Sequence, residues 1–303
     1  MSNNSFFSPS RIIVIASHTF TQLMRMKVFY FLAIFAVGML ILNSFEMPWT
    51  RSAEDTAEQE LITIKSAAMG SMALFSTIFA IASTALLIPK DIEDRTLYTI
   101  LSKPVPRLDY LVGKLLGVIL LVAVSLLLMD ALLSAILHTR TSSLISAEME
   151  KGQELNWPKE YLETRLAEIK QQGVTWDLQC GVGAIFFKAS IMAAIALLIS
   201  TISSSTLFTI IIAVVIYFMG HFTADARSYW LDSERGGVTK SAKFLSQAAS
   251  LLLPDFQLFN IIDATIAGKK VALSTFLRLG LLTFFYTSIY SVLSWFSFHK
   301  KEF

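Results

Sequence analysis

The chain has 303 residues, of which 54% are hydrophobic and 16% charged, against roughly 25% charged in an ordinary soluble domain. A mean hydropathy of +0.60 excludes disordered and collagenous chains, and Cys180 is the single cysteine, so no intrachain disulfide and no Cys-x-x-Cys metal or redox site can form. The formal charge of +2 is too small to point to nucleic acid as a partner.

The apolar excess is gathered into six blocks, each long enough to cross a hydrocarbon core of about 30 Å. The fold class is therefore all-α, a polytopic membrane protein with six transmembrane helices, an N-terminal interfacial amphipathic helix and short helices in the outer loops. Before the first block, Ser8 and Pro9 suit an N-cap and first helical position, and Ile12, Ile15, Ala16, Phe20, Leu23 and Met24 form an apolar stripe. Residues 8–27 read as a helix on the inner membrane surface, or as an extension of the first span.

That first span covers 28–45 and is too long for the apolar core of a signal peptide. Arg11, Arg25 and Lys27 precede it with no acid among them, whereas the segment beyond it is rich in acids from Glu46 to Glu60. Basic flanks face the cytoplasm. The further spans are 67–88, 111–137, 178–201, 207–222 and 274–298, which returns the carboxyl end with Lys300 and Lys301 to the same side. Both termini are then cytoplasmic in a multi-pass protein.

Residues 138–177 form an outer loop in which Pro158, then Leu162, Leu166 and Ile169, then Gly173 describe a helix with a solvated face at Glu160, Glu163, Glu168 and Lys170. A second outer loop, 223–273, holds a short apolar helix before Pro254 and another with Asp255 as cap and Gly268 as stop. Such elements are interfacial or re-entrant, and together they suit an outer gate. Backbone of this kind is tolerated at membrane depth only where protein or a cavity satisfies it.

Chemistry-bearing motifs are sparse. His18, His138, His221 and His299 are scattered, so a shared metal site is not expected. Hydrolase signatures are absent, and no Gly-x-x-x-x-Gly-Lys-Ser/Thr loop exists to hold ATP. The reading assigns no catalytic residue, no metal ligand and no cofactor to this chain. Within the spans stand Asp130 and Lys188, each costing about 2.5–3.5 kcal/mol at the bilayer centre unless partnered or hydrated. They sit at comparable predicted depths, and either pair or separately face a wet cavity or a partner. Lys114 and Arg278 lie near predicted span ends, from which they can snorkel to the interface.

Residues 90–110 form the inner loop after the second span. Leu97, Ile100 and Leu101 share one helical face, halted by Pro104 and Pro106. This is a short amphipathic helix offered to something in the cytoplasm, or laid on the membrane surface. The pattern of Asp91 and Glu93, then Arg95-Thr96-Leu97, Ile100-Leu101-Ser102, Pro104, Arg107 and Gly113-Lys114 resembles the type-2 family of ATP-binding-cassette (ABC-2) permeases, with Arg95 where that family usually has glycine.

The resemblance implies the permease subunit of an ATP-driven exporter in the inner membrane of a prokaryote. Its partners would be two copies of a cytoplasmic ATPase that binds ATP and Mg, a second permease in a homo- or heterodimer, and the lipid bilayer. It also implies an ATPase-coupling role for Asp91, Glu93, Arg95, Thr96, Leu97, Ile100, Leu101, Pro104, Arg107, Gly113 and Lys114. Alternative readings are a mechanotransmitter that passes no substrate, and a membrane enzyme or assembly scaffold built around Asp130.

Overall fold

A computed structural model describes residues 8–26, 30, 33–34, 37–38, 41, 57–93, 106–203, 205–231 and 254–299. The described residues form no strand. Eight α-helices and one 3-10 turn appear among them: α1 (Pro9–Met24), α2 (Ala57–Glu93), α3 (Arg107–Glu154), α4 (Lys159–Gln171), α5 (Trp176–Ile202), α6 (Thr206–Leu231), a turn at Phe256–Phe259, α7 (Ile262–Ile266) and α8 (Leu273–His299). Helices α2, α3 and α8, and the stretch Lys159–Ile202 that contains α5, are long and apolar enough to cross a membrane. Thr206–Phe222 of α6 is a shorter apolar stretch. Of the predicted first span, only Tyr30, Ala33, Ile34, Val37, Gly38 and Ile41 are described, and all six are helical.

Helix α5 is the centre of the bundle and packs on α2, α3, α6, α7 and α8. Every residue from Lys188 to Leu197 is buried. Ala189, Ser190, Ala193, Ala194 and Ala196 keep that helix thin, so its neighbours approach closely without losing dispersion contacts. Helix α8, by contrast, turns most of its apolar surface outward, as at Leu281 and Phe284, which is the distribution expected of a helix facing lipid.

The predicted stripe of α1 exists, but it packs on α3. Arg11, Ile15 and Thr19 lie beside Asp109, Gly113 and Gly117, so the two helices run side by side in the same direction. The reason is the Gly113-x-x-x-Gly117 groove. A Cβ at Gly113 would stand 2.7 Å from Ile15 Cβ, and one at Gly117 would stand 2.7 Å from Thr19 Cβ and 2.8 Å from the Ala16 carbonyl oxygen. Ile12, Thr19 and Leu23 are buried there, while Ile13 and Val14 on the opposite face stay exposed. Ser8 makes no side-chain cap, and its backbone N–H donates to Asp109 Oδ2 instead.

At the other end of the bundle, α3 continues as one helix to Glu154, beyond the predicted span end at 137. The expected loop helix follows as α4, entered at Pro158 and left before Gly173, with Ile169 inward and Glu160, Glu163 and Lys170 exposed. From Pro254 on, the second predicted outer loop holds a broken element in place of a single helix, and the short helix expected before Pro254 lies outside the described residues. Asp255 Oδ1 accepts from Gln257 N–H at 3.0 Å, the 3-10 turn ends at Phe259, and α7 stops at Gly268, whose φ of +69° suits glycine. This irregular backbone is satisfied by side chains: Val271 N–H donates to Asp177 Oδ1 at 2.7 Å. Gln171 reaches the Gly268 carbonyl oxygen at 3.0 Å, and Gln172 contacts buried Lys65 and Glu58, which ties α2, α4 and α7 together.

Candidate functional site

The ends of α2 and α3 that bracket residues 94–105 carry a buried polar cluster. Lys114 Nζ lies 2.7 Å from Asp91 Oδ2, with both side chains almost fully buried. The Tyr110 hydroxyl donates to the same oxygen at 2.5 Å, and Lys114 also donates to Gln22 Oε1 of α1 at 3.3 Å. Lys114, expected to snorkel to an interface, turns inward instead, because a carboxylate one helix away, at Asp91, offers a stronger partner than water does.

A second set of contacts brings in the remaining helices. Arg11 Nε donates to Asp109 Oδ2 at 3.0 Å, joining the start of α1 to the start of α3. Arg107 donates to the carbonyl oxygens of Phe298 at 2.9 Å and His299 at 2.8 Å, two of the groups a helix C-terminus leaves without intrahelical donors. The Tyr110 and Phe298 rings stack with centroids 6.0 Å apart. Helices α1, α2, α3 and α8 are thereby pinned to one another beside the segment 94–105.

Of the residues assigned a coupling role, Asp91 and Lys114 are brought into contact, while Arg107 binds the end of α8 and Gly113 packs against α1. Glu93 ends α2, with its side chain outside the described part. Arg95, Thr96, Leu97, Ile100, Leu101 and Pro104 lie outside the described residues. Sequence reasoning missed Tyr110, Asp109 and Gly117; the four-residue spacing of Gly113 and Gly117 was a signal for close helix packing that was there to be read.

The two intramembrane charges do not meet. Asp130 Oδ1 accepts from Gln179 Nε2 at 3.2 Å, in the first turns of α5. Lys188 follows Gln179 by nine residues on α5, about 13 Å along the axis at 1.5 Å per residue. Its Nζ contacts His221 Nε2 at 2.7 Å and stands over the rings of Tyr217 at 5.3 Å and Phe256 at 5.6 Å. His221 Nδ1 lies 2.9 Å from the Tyr217 carbonyl oxygen, so Nδ1 carries the proton and Nε2 accepts from the ammonium. Gln257 donates to the His221 carbonyl oxygen at 2.8 Å, binding the Phe256 turn to α6. A Cβ at Gly220 would meet Phe256 at 2.4 Å, so that glycine is what admits the ring.

Lys188 lies twelve residues into the 27-residue helix α5, so the Phe256 turn reaches the level of that helix's midpoint. Among the described residues, no group of three or more His, Cys, Asp or Glu is placed to hold a metal.

Among the described residues the regular structure is all helical and its apolar helices are consistent with a membrane protein, with a polar cluster at one end and a half-buried lysine–histidine contact at its centre. No protein-family model matches the chain, and a search of curated proteins finds no match.

Proposed function

We propose that this chain is the permease subunit of an ATP-driven exporter of the ABC-2 type, with six spans and both termini in the cytoplasm of a prokaryotic cell. Two copies of a separate ATPase supply ATP and Mg chemistry, and a second permease, identical or different, completes the assembly. The observation that carries this reading is the buried cluster of Asp91, Tyr110 and Lys114, with Arg107 beside it on the end of α8, at the two ends of the segment resembling a coupling helix.

A coupling element transmits force only if its ends are rigid. Here the exit is fixed by the Asp91–Lys114 pair between α2 and α3, by Arg107 on the end of α8, and by α1 in the glycine groove of α3. A push on Leu97, Ile100 and Leu101 by a closing ATPase then moves four helices together. Apolar anchors flanked by Glu93 and Arg95 suit a cytoplasmic groove, in which hydrophobic anchors bind and rim charges set register, whereas Asp91 is buried against Lys114 and serves the rigid base instead.

Leu97→Asp tests this reading. Loss of ATPase association, with normal membrane abundance of the permease, is the expected result. Association and substrate-stimulated ATP hydrolysis both unchanged at normal abundance would reject it.

A further inference from the structure

Buried Lys188 makes no ion pair among the described residues, and its hydrogen-bond partner there is His221 Nε2 at 2.7 Å. Such a contact holds one positive charge, whichever nitrogen carries the shared proton, because one of the two must offer a lone pair. A second proton would leave two cations at hydrogen-bond distance with no lone pair between them, and the contact could not persist. The same place fastens the Phe256 turn to α6. The Phe256 ring is fully buried on Gly220, with its centroid 5.7 Å from the His221 ring and 5.9 Å from the Tyr217 ring. The Lys188 ammonium stands over that ring, and Gln257 donates to the His221 carbonyl oxygen.

Helix α6 is packed chiefly by α5, α2 and this turn. Among the described residues, the titratable groups facing His221 are Lys188 on α5, Asp255 on the turn and Tyr217 on α6 itself, while α2 brings uncharged Thr77 to Tyr217. Neutral His221 binds Lys188; protonated, it is repelled by Lys188 and drawn to Asp255. His221 is half-buried and stands one residue before the end of the apolar stretch Thr206–Phe222, so a proton from water reaches it before it reaches Lys188. We propose that the Lys188–His221 contact is a proton-operated latch on the Phe256 turn. A proton from water bonds to His221 Nε2, the Lys188 hydrogen bond to that nitrogen breaks, the pair goes from one positive charge to two, and the turn leaves Gly220. Proton uptake and opening are linked, so each favours the other. The inference rests on these contacts and not on transport or on an ATPase.

The test uses the full chain with Cys180→Ala in lipid nanodiscs, spin-labelled at Leu207→Cys near the start of α6 and at Leu258→Cys on the turn, two exposed positions. Leu207 lies about 21 Å along α6 from His221, a separation that double electron–electron resonance reads. At pH 8 one distance is expected. Between pH 8 and pH 5, the range in which histidine changes charge, a second should grow in. The ratio of open to closed should rise roughly tenfold or more, against a ceiling of about tenfold per pH unit for one proton. His221→Gln, whose amide oxygen accepts from Lys188 without titrating, should stay closed throughout. Lys188→Met removes the opposing charge and should flatten the response. Asp255→Asn should keep the transition and move it to lower pH, because the carboxylate favours the protonated ring.

A single distance across the whole range in the otherwise native chain, or a His221→Gln chain that opens as that chain does, would overturn the proposal. So would a transition unchanged in Lys188→Met, or one lost in Asp255→Asn, which would give the sensing to the carboxylate. Where one of the His221→Gln and Lys188→Met variants fails to insert, the other decides, because either alone should abolish the response. Loss of ATPase association in a separate assay would leave this result standing.

Discussion

Replacing Asp91 by asparagine should be among the most damaging single changes outside the core of α5. Asp91 and Lys114 are 4% and 3% exposed at the side chain and 2.7 Å apart, so solvent screening gives no relief when one partner is removed. The substitution leaves the Lys114 ammonium buried with Gln22 Oε1 and the Tyr110 ring as its remaining neighbours. Breaking a buried pair in this way costs about 3–5 kcal/mol, whereas removing both charges together is often close to neutral. At roughly 2–4 °C per kcal/mol for a chain of this size, Asp91→Asn should lower the apparent thermal midpoint in detergent by about 6–20 °C. Asp91→Asn combined with Lys114→Met should recover most of that loss. Thermal melts followed by near-UV circular dichroism, on all four members of the cycle, measure both quantities. A single-variant loss below about 1 kcal/mol, or a double variant as unstable as the two losses summed, would refute the argument, because additivity means that the two groups do not interact.

Two further experiments probe the remaining contacts. Gly117→Val should drive α1 off α3, because its Cβ cannot occupy the space held by Thr19 and Ala16; the expected cost is about 1–3 kcal/mol, and a spin-label pair at Ser17 and Leu120 should report a longer distance than in the wild type. Lys188→Met and His221→Phe should be non-additive by at least about 0.5 kcal/mol in a double-mutant cycle, whereas Lys188→Met and Asp130→Asn should add, since contacting residues couple and separated ones do not.

Helices and their punctuation were legible where the cause is local. Pro158 and Gly268 act through their own φ angles, Asp255 through a bond to Gln257 and Gly173 through its N–H to the Lys170 carbonyl oxygen, and each stands at the boundary assigned to it. The apolar stripe of α1 was equally legible, but its destination was not. A stripe states that a face is buried without stating against what, and the groove receiving it lies about a hundred residues away.

The same distance hid the polar contacts. Lys114 looked like a snorkelling side chain because hydropathy sees the span end and not the neighbouring helix that carries Asp91. Asp130 and Lys188 were matched by opposite charge and estimated depth, yet each found a neutral partner, Gln179 and His221. Depth estimates depend on span ends, and α3 runs on to Glu154 well past the point where its apolar stretch stops. His221 was weighed only as a metal ligand. The turn at Phe256, which brings an aromatic ring and Gln257 to its level, has no signature beyond Pro254 and Asp255.

The proposed coupling role of the segment after α2 is tested most directly by a photo-crosslinking amino acid placed at Leu97 in the full chain within native membranes. The expected product joins this chain to a cytoplasmic polypeptide that carries a Gly-x-x-x-x-Gly-Lys-Ser/Thr nucleotide loop, with the yield changing when ATP is trapped unhydrolysed. Crosslinks to lipid alone, or to no such ATPase when the residue is shown to be on the cytoplasmic side, would contradict it.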